Sequence, residues 1–483
     1  MPCSSATRPR PESALPLSSV AHIFLGSLES EFYSNTDSIF SSSCPKIAFF
    51  SMVAMRMDVT SGSKALGESN LTIKMRRLAH LLMQVALCIR VKGMVAYSAA
   101  PFAGAPHNNG WLTAHASLQI EPQFCDYAAL AMVVSADFQS GGQSVHKLTN
   151  DVLLDIEELL GSASKSAAPL MGKHSAMPCA AYDDCKFDRT YIVNLNFFFT
   201  SMSGFAMPSS VIGYHTADIV VELAALDSVL CLPTAAQGDV AGTSSALIVV
   251  LASPATGSFS MFVRPDAAWG SCVPTEPLTN DSVIADVYVM ANYVHVGASE
   301  AAQILKKTYS QPILKQAEVV ARVTRTQAPS ADLQEEEVKI VTRKPVAFFT
   351  VHARQGGAQF SKLHAGFHSE APTRAVRIVK AYKGMIDDQP FVHAYADEGS
   401  PLHQLWFAGT QTPMHILFHS FCMSAAESCP NGSLGLGKAS DVYLYFDIAK
   451  EAFAGGNQVV ELTVSLFYWA KATYRSGMIK MTG

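Results

Sequence analysis

Between Arg189 and Val229 the chain reads RTYIVNLNFFFTSMSGFAMPSSVIGYHTADIVVELAALDSV, and this stretch limits the possible folds more than any other. Tyr191, Val193, Leu195, Phe197 and Phe199 alternate with Asn194 and Asn196, a period of two that sets one row of side chains on each face of a strand. Gly204 and Pro208 interrupt the pattern, which resumes at Ile219, Val221 and Leu223 against Asp218 and Glu222. The spacing predicts two half-buried strands flanking an apolar loop.

The same grammar recurs along the chain. Trp111–Glu121, Ile284–Val296 and Val460–Tyr468 alternate in the same way. Gly141-Gly142 supplies the positive φ of a tight hairpin turn, and Thr149 or Asn150 is placed to cap a short helix with Val152, Leu153, Ile156 and Leu159 as its apolar stripe. A second short helix is expected over Glu300–Tyr309, capped by Ser299. Leu71, Met75, Leu78, Leu82, Val85 and Ile89 fall at helical spacing, which predicts an amphipathic helix packed on a domain. Its apolar part is too short for a membrane span, which needs about 20 residues. Thr324–Pro345, with Glu335, Glu336 and Glu337, reads as a solvated loop.

A chain of 483 residues is long for one core. Residues 1–22 read as a disordered or N-terminal arm, 23–232 as a first domain and 233–483 as a second, with the Pro-, Gly-, Ala- and Ser-dense stretch 230–282 holding the linker.

Several segments together resemble the major capsid protein of the nucleocytoplasmic large DNA viruses. They are Pro45-Lys46-Ile47-Ala48-Phe49-Phe50 near the start; Gly141-Gly142-Gln143 followed by a helix ending in Glu158-Leu159; and the aromatic strand, Gly204-Phe205-Ala206-Met207-Pro208, Tyr214-His215 and Leu226-Asp227 of the opening stretch. The strand before Gly297 and the helix after it, Leu402–Phe407 and Pro413-Met414-His415 as a further strand and turn, Ser420-Phe421, Pro430-Asn431-Gly432 before Asp441, and Tyr474–Thr482 follow in the family's order. The chain departs from the pattern where the family's Trp and Arg are missing, near Ile378-Val379 and Lys438, and over 56–110. The resemblance implies an all-β fold of two consecutive eight-stranded jelly-roll barrels with short helices in the connections. It also implies a subunit that trimerises into pseudo-hexagonal capsomers of an icosahedral shell. Expected partners are then further copies of the chain, minor capsid proteins and an inner viral membrane. Its place would be the virion, after assembly in a cytoplasmic virus factory. A poxvirus-type double-barrel scaffold, a minor capsid paralogue and a jelly-roll carbohydrate-binding module are the alternatives.

Chemistry is sparse. The net charge of -5 gives no general reason to bind nucleic acid. The cysteines form no C-x-x-C pair; Cys179 with Cys185 and Cys422 with Cys429 are spaced too loosely for zinc, and reduced thiols are expected. His364 with His368, and His415 with His419, stand four apart in strand or loop contexts, where that spacing separates them by about 13 Å. These are read as structural histidines. No Gly-x-Ser-x-Gly, Walker or His-Glu-x-x-His motif occurs, and no catalytic, cofactor or metal residue is assigned.

Overall fold

The computed structural model describes residues 50–67, 70–92, 97–98, 119–120, 123–124, 127–160, 168–172, 188–200, 205–209, 215–224, 229–231, 247–252, 259–264, 270–272, 283–297, 301–302, 309–324, 333–355, 378–409, 416–426, 430–437, 439, 441–450, 459–475 and 478–482. Strands dominate, and every pairing among them is antiparallel.

A nine-stranded sheet runs in the order Met207–Pro208, Leu81–Val91, Ile284–Val296, Phe50–Ser61, Asn70–Met75, Ala217–Leu223, Val133–Ser140 and Gln143–Thr149, with Arg189–Asn194 also paired to Leu81–Val91. Phe50–Ser61 is the hinge of this arrangement. Its residues 50–58 pair with Ile284–Val296, and after Val59 it pairs with Asn70–Met75, with a shift of register between Val59 and Ser61. The bulge turns the strand from one group of strands into the other, and the sheet folds over a single core. Leu87, Ile89, Val287 and Val289 come to that core from one group, and Ile73, Val221 and Phe138 from the other.

The strands of the second half surround another core. Tyr309–Thr324 pairs with Val459–Arg475 from Tyr309 opposite Tyr474 to Thr324 opposite Val459, and Pro345–Gln355 lies on the far side of Val459–Arg475. Opposite them stands a four-stranded sheet in the order Leu333–Lys339, Val442–Ala449, Val379–Ile386, Gln389–Tyr395. Val351, Val464, Leu444 and Phe446 meet between the two.

The alternation at Ala217–Leu223 and Ile284–Val296 appears as expected, with Ile219, Val221, Val287 and Val289 buried. The hairpin at Gly141 (φ 60) and Gly142 (φ 77) is also present. Thr149 caps Asn150–Asp155, its hydroxyl accepting from the Val152 amide, and the chain continues as a π-helical turn, Ile156–Leu160.

Four expectations are corrected. The helical spacing over Leu71–Ile89 belongs to two strands, Asn70–Met75 and Leu81–Val91. Leu81–Val91 lies inside the sheet, with Leu82, Val85, Leu87 and Ile89 in the main core and Leu81 and Met83 in a small cluster with Ala206 and Val294. A strand covered on both faces is a nearly continuous apolar run, in which matches at i+3 and i+4 arise without a helix. The acidic stretch at Glu335–Glu337 is part of an edge strand, Leu333–Lys339, whose Val338 enters the second core. Leu402–Phe407 is helical: Gly399–His403 runs into a π-helical turn, Gln404–Ala408, and Gly409 stops it at φ 75. Finally, the aromatic strand ends at Asn194, and Phe197, Phe198 and Phe199 are all buried around Phe138, with ring centroids 5.6, 5.9 and 5.2 Å from it.

Ile284–Val296 lies beyond the division expected near residue 232 and pairs with strands of the first half. Pro45–Phe49, most of Trp111–Glu121, Ser299, the centre of the Glu300–Tyr309 helix, His364, His368, His415, Cys179, Cys185 and Cys429 lie outside the described residues.

Candidate functional site

The densest polar cluster is a buried seam where the Asn150–Asp155 helix meets the Pro345–Gln355 strand. Asp151 and Asp155, four apart, share one helical face. Thr350, His352 and Arg354, two apart, share the face of their strand opposite Phe349, Val351 and Ala353. The Thr350 hydroxyl donates to Asp155 Oδ2 at 2.5 Å, and His352 Nε2 lies 2.8 Å from Asp155 Oδ1. Arg354 Nη2 donates to Asp151 Oδ1, which is 4.0 Å from His352 Nδ1. The seam continues along Tyr309–Thr324: Thr149 donates to Glu318, and His146 Nε2 lies 3.2 Å from Gln316 Oε1. His146 Nδ1 accepts from the Phe198 amide at 3.1 Å, which ties the aromatic turn into the same network.

Burial and neighbouring charge set the protonation here. Burial lowers the pKa of His352, but the carboxylates of Asp155 and Asp151 outweigh it and hold the imidazole above its ordinary value. Burial raises Asp155, and His352 and Thr350 offset this only in part. Burial acts the same way on Asp151, where Arg354 and His352 prevail and keep its carboxyl below the usual range. His146 has no carboxylate beside it, and burial with the Lys315 charge brings it down to about 4.

An Asp, a His and a Thr at close range raise the question of nucleophilic catalysis. The geometry excludes it for these groups: Thr350 donates to the carboxylate rather than to the imidazole, and Thr350, His352 and Asp155 are at most 1% exposed. The seam works as an internal weld. A buried ion pair adds little over an apolar contact, but removal of one partner is costly, so the network fixes one arrangement of helix against sheet.

His419 is also structural. It stacks on His403 with centroids 4.0 Å apart and on Phe349 at 5.4 Å, and burial with the nearby His403 brings it down to about 3. Cys88 and Cys422 are both buried and form no disulfide among the described residues. Among the described residues no group of three or more His, Cys, Asp and Glu is placed to hold a metal ion, and no helix is long and apolar enough to cross a membrane.

Sequence reasoning did not find the seam. The available signals were an Asp-x-x-x-Asp pair behind a capping Thr, and Thr-x-His-x-Arg in an otherwise apolar strand, VAFFTVHAR. Each is common alone, and only the packing of helix on strand joins them.

No family model matches the sequence, and no curated protein matches it. The likeness is in the fold. The VP54 protein of PBCV-1, from the structure fitted into a reconstruction of the virophage Sputnik, superposes with a TM-score of 0.63 at 12% identity, over 92% of this chain and 99% of that one. The Faustovirus major capsid protein superposes with a TM-score of 0.61 at 11% identity, over 94% and 97%. A chain of the quasi-atomic PBCV-1 capsid gives 0.61 at 13%, over 92% and 99%.

Proposed function

We propose that this chain, which has the double jelly-roll fold of the major capsid proteins of large DNA viruses, is itself a structural subunit of a viral shell. The observation that carries the reading is coverage: the likeness runs across 92% of this chain and 99% of VP54, so almost nothing of the reference protein lacks a counterpart. We draw the division between the two domains after Val296, because Ile284–Val296 pairs with first-half strands and Tyr309–Thr324 with Val459–Arg475.

In this reading the buried seam locks the domains into one block, and a rigid block with fixed faces is what a repeating lattice needs. Three blocks around an axis give a capsomer with pseudo-sixfold outline. Neighbouring capsomers, minor capsid proteins and the surface of an inner membrane are its contacts in the virion, after assembly in a cytoplasmic factory. The work is geometric complementarity, with no reaction step. The alternative of a transient scaffold rested in part on a helix over Leu71–Ile89, and the strands found there remove that support. The test is the mass of the purified full-length chain by size exclusion with light scattering. A stable trimer supports the capsomer, and a monomer that persists at high concentration overturns it.

A further inference from the structure

Beside scattered exposed apolar residues such as Val134, Val320 and Val341, two places on the described surface each hold several large exposed apolar side chains, and the two differ in the charge around them. The first is helical. Leu402, Leu405 and Trp406 stand at i, i+3 and i+4 on the Gly399–Ala408 segment, with Trp406 62% exposed. Met423 joins them on a loop held to the segment by the Ala425 amide donating to the Phe407 carbonyl at 2.7 Å. Asp397 and Glu398, both exposed, stand at the head of this face.

The second place is a sheet corner. Met52, Val53 and Met55 are exposed on Phe50–Ser61, and over residues 50–58 that strand has Ile284–Val296 as its partner on one edge. An apolar strand whose second edge is paired by no described residue over 50–58 is a liability unless something covers it. Beside it the chain crosses from Asn70–Met75 to Leu81–Val91 through Arg76, Arg77 and the exposed Leu78. The Tyr293 hydroxyl donates to the Arg76 carbonyl at 2.6 Å, and Tyr293 is the residue directly opposite Val53. Lys74, Arg76 and Arg77 are exposed. By contrast, Arg56 is engaged by Asp58 and Asp286, and Lys64 by Asp286.

The two places lie toward opposite ends of the first-half sheet. Met75 pairs with Ala217, which also pairs with Ser140 at the Gly141 hairpin. The helix that leads to Ile156–Leu160, against which Gln404–Ala408 packs, starts at Thr149 opposite Ser135. Ser140 lies five residue steps along the strand from Ser135, about 17 Å. One copy's acidic face therefore has a second copy's basic corner as its complement. A contact between two different patches is heterologous, the kind that closes into a ring, whereas a patch that meets itself stops at a dimer.

We propose that the acidic face of Asp397, Glu398, Leu402, Leu405 and Trp406 on one copy docks on the basic corner of Arg76, Arg77, Leu78 and Met52 on the next, and that three such contacts close the trimer. The proposal rests on the capsomer reading and adds to it the contact that holds the ring. Charge around an apolar centre sets the register and direction of such a contact.

The test uses the full chain and its mass in solution across a dilution series. Wild type is expected as a trimer. Asp397→Lys with Glu398→Lys, and separately Arg76→Glu with Arg77→Glu, are each expected to raise the concentration at which the trimer dissociates at least tenfold. An equimolar mixture cannot repair every contact of a ring, so the rescue is read in the quadruple variant, where both signs are exchanged and the trimer returns. Circular dichroism checks that each variant folds. Leu78→Asp and Trp406→Ser provide a second pair should a charge reversal fail to fold, each expected to dissociate the trimer. A wild-type monomer overturns the capsomer reading and this contact with it. A wild-type trimer that is indifferent to both reversals and to the second pair overturns the contact alone.

Discussion

Replacement of Asp155 by Ala removes the shared acceptor of Thr350 and His352 from the centre of the buried seam. The imidazole, whose pKa the carboxylates hold above its ordinary value, is left in the interior with Asp151 at 4.0 Å. Loss of one member of a buried ion pair costs about 3–5 kcal/mol. Asp286 makes a useful control, because it also binds two partners, Arg56 and Lys64, each at 2.6 Å, but with partner side chains 47% and 40% exposed. Its replacement by Ala is expected to cost about 1 kcal/mol or less. Urea unfolding followed by tryptophan fluorescence reads both variants, since Trp469 lies in the strand next to Pro345–Gln355. The seam also predicts a pH signature. A pKa raised on folding stabilises fully below the unfolded value, so the His352 contribution is complete below about 6.5 and fades as pH rises through its folded value. His352→Gln should flatten that alkaline decline. If Asp155→Ala costs no more than Asp286→Ala, the seam is not what fixes helix against sheet.

Three further outcomes follow from single positions. His146 is brought down to about 4, so stability should fall by about 3 kcal/mol as pH drops from 6.5 toward 4, and His146→Gln should remove most of that slope in acid unfolding curves. Gly62 has φ +101, and a Cβ there would lie 2.0 Å from the Asn70 carbonyl oxygen; Gly62→Ala should cost about 2 kcal/mol or more by urea unfolding, and a neutral result would contradict the turn geometry. Glu335 and Glu337 are exposed on an edge strand, so Glu335→Val with Glu337→Val should promote aggregation at unchanged secondary structure, measured by light scattering.

What the sequence made legible follows from how local each signal is. The Gly141-Gly142 turn, the Thr149 cap and the alternation of Ile284–Val296 depend on neighbours within a few residues, and all stand where the pattern put them. Leu81–Val91 carries a helical spacing in sequence because burial on both faces removes the alternation that marks a strand, and the register shift between Asn292 and Tyr293 opposite Leu82–Gln84 changes which residues face the core. Glu335–Glu337 reads as a loop because an edge strand shows its polarity to water, with Glu335 and Glu337 exposed while Val338 faces the second core. The helix over Gly399–Ala408 was hidden by Gly399 and Pro401 at its start, residues that read as turn until the first-turn position of the Pro is known. The seam was beyond sequence reach, since Asp155 and His352 are far apart along the chain and become partners only through the fold.

A cryo-electron-microscopy reconstruction of the purified full-length assembly tests the central claim most directly. The account predicts a three-fold particle with six barrel-shaped lobes, two from each chain, and with the Trp406 face of one chain on the Arg76–Leu78 corner of the next. A particle of any other symmetry, or single chains with no fixed neighbour, would contradict it.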